Sequence, residues 1–255
     1  MSNLENGIKY LKDYNRVRVP SEIKGFDAFR ALMNITMPDN LSEEFYKIQD
    51  RIIEEEYSKR TIVDINSLLP FIDNIYLYKG DITLLKVDSI VDACNSELLG
   101  CFHPLHKCID NAIHSFAGLE MRRDLINIMN GKSEENGKAR ITKGYNLPSK
   151  YVLHTVGPIV NGKISEQNEI DLYNCYQSCL NLANSYKLES IAFPSISTGI
   201  YSYPINEASK IAIKAVKNYL LNNSDTSIKR VVFNVFSKED YNVYKRRISE
   251  AYSRK

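Results

Sequence analysis

A chain of 255 residues, 44% hydrophobic and 25% charged, has the composition of an ordinary soluble globular protein with a sizeable core. A formal net charge of +2 argues against general nucleic-acid or membrane-surface binding, which calls for a clustered basic excess. No apolar run reaches the roughly 18 residues of a membrane span, and the first residues lack a signal peptide's apolar core, so a cytoplasmic protein is expected.

Residues 1–73 read as helical. "DAFRALMNI" is a short amphipathic run, and "SEEFYKIQDRIIEEEYSKR" sets Phe45, Ile48, Ile52 and Tyr57 near a 3.6-residue period behind Ser42 as N-cap. Prolines at 20, 38 and 70 punctuate the segment. Its apolar residues are too few for a core of its own, so it is expected to pack as an extension on residues 74–255. From Ile75 the texture changes to short β-branched runs: "IYLYKG", "SIVDAC", "YVLHTVGP", "SIAFPSIS" and "RVVFNVF". Helical patterns over 110–129, 169–186, 207–221 and 239–253 alternate with them. The locally basic carboxy-terminal "YKRRISEAYSRK" reads as a solvated helix face. This alternation predicts an α/β domain with a largely parallel sheet, in which ligands gather where strands end.

Three stretches could carry chemistry. "KGDIT" ends the first run; alone it is most simply a turn, although an Asp there can accept from an amine such as that of adenine. "FPSISTGIYSYP" follows a strand expected to end at Ser195, and its small residues could close backbone N–H groups around a phosphate or merely cap the next helix. It lacks the G-K-[ST] element of a Walker loop. The third, Gly100 to His114, holds two of the five cysteines and three of the four histidines.

Cys101, His106 and Cys108 read C-x4-H-x-C, three ligands from one loop, the number that leaves a catalytic zinc one open position. No second pair for a structural finger is present. His103 is a weaker rival ligand, and His114 shares a helical pattern with Ile113 and Phe116. A metal site, a reactive thiol and chance clustering all stay open at this point. Disulfides are disfavoured in the expected compartment and by the odd cysteine count. Cys175 and Cys179, four apart on one helical pattern, read as core.

Taken in order, "YKGDITLLKVDSIVDACNSELLGC", "CIDNAIHSFAG", "ARITKGYNLPSKYVLHTVGP", "PSISTGIYSYP" and "VFNVFSKEDYNVYKR" resemble the macrodomains, ADP-ribose-binding α/β/α modules. "GCFHPLHKC" replaces the usual glycine run, which resembles the zinc-containing, sirtuin-linked branch with a helical amino-terminal extension. The likeness covers residues 75–246 and implies a three-layer fold with a mixed, largely parallel sheet. It implies that Asp81 and the Ile82 backbone hold adenine and that Phe236 stacks near the base or its ribose. Ser197, Thr198, Gly199, Ile200 and Tyr201 would wrap the diphosphate. Asn95 and Asp110, the catalytic pair, would face the distal ribose, with Ile109 and Asn111 lining the same wall through their backbone. Cys101, His106 and Cys108 would hold one Zn²⁺ beside that sugar, Cys108 also touching the ligand.

One departure stands out: "VDACN" replaces the common "VNAAN", placing Asp92 and Cys94 in the strand. Asp92 is expected to make a structural hydrogen bond and Cys94 to be buried. The activity implied is hydrolysis of mono-ADP-ribose from protein side chains, carboxylate-linked ones above all; the alternative is a non-catalytic ADP-ribose reader. A zinc-dependent nucleic-acid binder lacks the basic stripe it would need. The resemblance also implies pairing with a sirtuin-type ADP-ribosyltransferase and, as substrate, a lipoate-carrier protein like glycine-cleavage protein H.

Overall fold

The computed structural model describes residues 2–253. Three helices come first: α1 (Asn3–Asn15), α2 (Gly25–Ile35) and α3 (Glu43–Tyr57). Then follow β1 (Val63–Asp64), β2 (Ile75–Lys79), β3 (Leu85–Lys86), β4 (Ser89–Cys94), α4 (Ile109–Ala117), α5 (Leu119–Met129) and β5 (Ala139–Lys143). The remainder is β6 (Tyr151–Val156), α6 (Glu166–Ser185), β7 (Ser190–Phe193), α7 (Ile205–Asn222), β8 (Arg230–Val235) and α8 (Lys238–Tyr252). No helix among the described residues is long and apolar enough to cross a membrane.

Local chemistry sets the helix starts. Ser2 and Glu5 form a reciprocal capping box on α1, Ser42 accepts from the Phe45 N–H on α3, and Ser165 with Asn168 repeats the box on α6. The main sheet runs β2-β8-β7-β4-β6-β5, parallel throughout except for β5, which pairs antiparallel with β6 at the edge. Successive strand residues face opposite sides. Ile90, Val152, Ala192 and Val232 pack with helices α1 to α5, whereas Val91, Leu153, Ile191 and Val231 pack with α6 to α8. The result is the three-layer α/β/α arrangement. Cys175 and Cys179 lie fully buried in the second layer, and Cys94 is buried in the first.

Helices α1 to α3 share one apolar cluster with α4 and α5: Leu11, Phe29, Phe45 and Ile53 meet Phe116, Met121 and Leu125. Polar ties reinforce this junction. The Gln49 amide oxygen accepts from the Leu119 N–H, and its nitrogen donates to Glu120.

Several elements differ from expectation. The pattern over 110–129 is two helices, because Gly118 (φ 102°) ends α4 and starts α5 in a backbone conformation that side chains avoid. Residues 59–74 hold no α-helix, only a 3-10 turn at Ile65–Ser67; Val63 and Asp64 pair with Leu85 and Lys86. The β7 strand stops at Phe193 rather than Ser195, since Pro194 has no N–H to continue the ladder. "ARITK" forms an edge strand that the apolar runs did not announce, because Arg140 and Lys143, exposed on opposite faces, dilute its hydrophobicity.

Gly118→Ala would place a Cβ 2.6 Å from the Gln49 amide nitrogen at a positive φ. The expected loss is about 1–3 kcal/mol, read from urea unfolding at unchanged m-value. A change smaller than about 0.5 kcal/mol would show that the junction tolerates a side chain.

Candidate functional site

The carboxyl ends of the central parallel strands open into a cleft of about 1070 Å³, at the upper end of the size range of small-molecule sites. Its walls come from the turn after β2, the long loop between β4 and α4, the loop after β7 and the exit of β8. Asp81, Ile82, Asn95, Cys101, His106, Cys108, Ile109, Asp110, Ser197, Thr198, Gly199, Ile200, Tyr201 and Phe236 all line it. Asn111 does not. It is fully buried, and its side chain binds Arg30 and the His103 carbonyl, both part of the cleft wall, while its backbone N–H meets the Cys108 sulfur at 3.4 Å.

At one end, Asp81 Oδ1 accepts from the Thr83 N–H at 2.9 Å and from the Thr83 hydroxyl at 2.7 Å. That leaves Oδ2 facing Arg60, 3.6 Å away. Phe236 stands 82% exposed on the lip, a flat apolar face with nothing packed on it. Arg60 and Arg30 reach the cleft from the amino-terminal extension, Arg60 stacking 4.3 Å over the Phe116 ring. Sequence reading did not single out these arginines, because they lie outside every motif and only the packing of α2 and α3 brings them here.

The loop after β7 is a tight cradle. Thr198 Oγ1 donates to the Ser195 carbonyl, and the Ser202 and Tyr203 N–H groups close onto Gly199 and Ser197. The N–H groups of Gly199, Ile200 and Tyr201 have no protein acceptor among the described residues, which suits a ligand bearing anionic oxygens. Ser197 sits at φ 65° and fits only because Gly157 opposite has no Cβ; one would lie 2.1 Å from the Ser197 hydroxyl.

At the other end, the Asn95 side chain staples its own loop. Its oxygen accepts from the Glu97 and Leu98 N–H groups, and its nitrogen donates to the Gly100 carbonyl at 3.1 Å. Gly100 (φ 90°) then passes so close to the His114 ring that a Cβ would lie 2.9 Å from it. Beyond this turn, Cys101, His106 and Cys108 gather their ligand atoms within 4.8 Å of one another, with the Cys101 sulfur 3.5 Å from His106 Nδ1. His103 is not part of the set. Burial pushes the Cys108 thiol up to about 12, with nearby Asp110 and Cys101 adding to the effect. Two crowded thiols are poor company for each other as anions, but with the imidazole they are a fitting donor set for one Zn²⁺, whose charge reverses that cost.

Beneath the cleft lies a sealed polar layer. Asp92 Oδ2 is 3.1 Å from His154 Nδ1 and 3.8 Å from His114 Nε2, which in turn is 3.3 Å from Asp110 Oδ1. His154 Nε2 meets the Thr142 hydroxyl at 3.0 Å. Burial lifts both carboxyls, Asp92 to about 7 and Asp110 well up, the latter raised further by Asp92. Both carboxyls therefore hold their protons to a higher pH than an exposed aspartate does. Burial also holds both imidazoles neutral, His154 down to about 4. Asp92 makes the structural hydrogen bond expected of it, to His154.

Raising Asp92 from the 3.8 of a free aspartate to about 7 gives a contribution that is full in acid and lost as pH climbs toward 7. His154, held down, acts in the opposite sense over the same range. Asp92→Asn removes the first effect and also eases the lift that Asp92 puts on Asp110, which acts in the same sense. The melting temperature of the variant minus that of the parent is expected to rise from pH 5 to about pH 7; a flat or falling difference would refute the raised carboxyls.

The family model described as Macro domain matches residues 91–212. A protein-ADP-ribose hydrolase of Treponema medium is 42% identical over 244 residues, 93% of this chain and 93% of the relative. One from Staphylococcus aureus MSSA476 is 42% identical, over 90% of this chain and 85% of its own. Among solved structures, the Oceanobacillus iheyensis macrodomain with ADP superposes with a TM-score of 0.65 at 36% identity, covering 74% of this chain and 97% of that one. The Trypanosoma brucei macrodomain in complex with ADP-ribose gives 0.66 at 30% identity, covering 85% and 94%. The chain belongs to the macrodomain family.

Proposed function

We propose that this macrodomain is a zinc-dependent hydrolase that removes mono-ADP-ribose from carboxylate-linked protein side chains. The observation carrying the reading is the meeting of three things in one cleft: a loop of unengaged N–H groups, the buried Asp110 carboxyl and a cysteine–histidine triad. Relatives at 42% identity over nine-tenths of the chain are named as protein-ADP-ribose hydrolases, which supports the hydrolase class.

In this reading Asp81 accepts from the adenine amine beside the Ile82 backbone, and Phe236 covers the base or its ribose. The amides from Ser197 to Tyr201 hold the diphosphate. Asn95, Ile109 and Asp110 border the distal ribose next to Cys101, His106 and Cys108. Bound zinc supplies Lewis-acid polarisation of an oxygen at that sugar. The chain's own residues fix the substrate there, and Asp110, its pKa raised by burial, orients the attacking water. Water's hydroxyl joins the anomeric carbon, the bond to the side-chain carboxylate breaks, and a proton is released. A carboxylate leaves readily, so positioning and electrostatics carry most of the acceleration. Pairing with a sirtuin-type transferase and action on a lipoate-carrier protein of the glycine-cleavage H type rest on the family resemblance alone.

The test is ADP-ribose release from a mono-ADP-ribosylated protein with carboxylate linkages. The parent is expected to turn over and Cys108→Ala to lose on the order of 100-fold or more. Equal rates would keep a hydrolase and remove zinc from its mechanism. No release by the parent, with ADP-ribose still bound, would make the protein a reader. Asp110→Ala is expected to bind ADP-ribose within about threefold of the parent yet fall about 100- to 1000-fold in kcat. Parental turnover by that variant would end its assigned role.

A further inference from the structure

His106 is presented by a turn whose conformation its own sequence does not favour. The chain His103-Pro104-Leu105-His106 closes through the His106 N–H onto the His103 carbonyl at 3.2 Å. Proline in second position suits such a turn, but Leu105 in third position sits at φ 55°, where glycine or asparagine is preferred. A leucine held in that region needs a partner that fixes it there. The partner lies 71 residues earlier: the Leu105 N–H donates to Oδ1 of Asn34, on helix α2, at 2.9 Å.

The amide of Asn34 has a defined orientation. Ser115 Oγ donates to the Asn111 carbonyl at 2.6 Å, so it accepts from Asn34 Nδ2 at 3.0 Å, and this leaves the Asn34 oxygen for Leu105. Asn111 completes the ring by donating from its side chain to the His103 carbonyl at 3.0 Å, while Arg30, also on α2, donates to Asn111 Oδ1. Asn34, Ser115 and Asn111 are each at most 1% exposed, so water does not compete for these bonds. The network grips both ends of the turn, and half of the grip comes from the extension.

We propose that the amino-terminal extension is part of the metal site: Asn34 is a positioning residue that locks the strained turn so that His106 meets Cys101 and Cys108. The proposal rests on the zinc reading given above. It assigns the extension a role in metal affinity, apart from the apolar packing that any docked helix provides.

The experiment measures zinc affinity by competition with a chromophoric chelator, and ADP-ribose affinity of the metal-free protein by calorimetry. The proteins are the parent, Asn34→Ala, Leu105→Gly and the double variant. Asn34→Ala is expected to weaken zinc about 10- to 100-fold, as loss of a group that orients a ligand does, with ADP-ribose binding held within about threefold. Adding Leu105→Gly, which removes the penalty of the left-handed residue, is expected to restore most of the lost affinity. A helix-docking role alone would not be rescued by a glycine in the loop. Unchanged zinc affinity in Asn34→Ala, or a loss that Leu105→Gly does not recover, overturns the proposal. Absence of zinc binding by the parent overturns the metal reading itself. Should Asn34→Ala fail to fold, Ser115→Ala leaves Asn34 in place but frees its amide; weakened zinc binding supports the proposal and parental affinity overturns it.

Discussion

One buried guanidinium joins the parts of the molecule that must meet for the cleft to exist. Arg122, 1% exposed, donates to the carbonyl of Leu99 where the ligand loop begins, and to those of Met33 and Thr36 where α2 ends. Its plane lies 4.6 Å from the Phe102 ring, inside the same loop. Burial lowers its pKa only to about 10, with Asp110 nearby favouring the charge, so it stays cationic near neutrality. A buried charge with its partners in place adds modest stability, but removing those partners costs several kcal/mol, about 3–5 in typical cases. That asymmetry makes the helix end and the loop inseparable: neither can move without leaving Arg122 unpaired.

The same logic governs the polar layer under the distal end of the cleft. Five ionisable side chains, Asp92, Asp110, His114, Arg122 and His154, lie there with at most 5% exposure. A hydrophobic filling would be simpler to fold. What the polar layer supplies is a carboxyl whose proton is negotiable, at the floor of a site that handles a sugar hydroxyl and a carboxylate leaving group. Burial holds both imidazoles toward the neutral form and both carboxyls toward the protonated form, which leaves the Arg122 guanidinium the best-paired charge in the layer. Rigidity follows from this arrangement, since displacing any member exposes the others to an apolar surround.

Much of this was legible in the sequence, and the exceptions have physical causes. The strand runs could be read because a parallel sheet buried on both faces demands continuous apolar stretches, as in "SIVDAC" and "YVLHTV". The edge strand β5 could not, because exposed Arg140 and Lys143 interrupt its short apolar pattern. The break at Gly118 was hidden by apolar periodicity that continues across it. Of the site, the residues in contiguous motifs meet in one cleft. The inward direction of the Asn111 side chain could not be read, because its neighbours alone do not fix which face of α4 it takes. Arg30, Asn34, Arg60 and Arg122 carry no local signature: each acts on a partner about 20 to 90 residues away, a relation that exists only after folding.

The sheet order has a consequence for the birth of the protein. β8 lies between β2 and β7, pairing Tyr76 with Val232 on one side and Phe193 with Phe233 on the other. The first core strand to leave the ribosome therefore has no strand beside it until the last has emerged. Asn234, on that last strand, then donates to the Gly80 carbonyl and finishes the turn that carries Asp81. Helices α1 to α3 must wait as well, because the surface they cover is built from residues made after them. Nascent chains carry an open strand edge for most of their synthesis, a state prone to wrong pairing. The strand order thus makes the β2 edge the last part of the sheet to be closed as the chain is made.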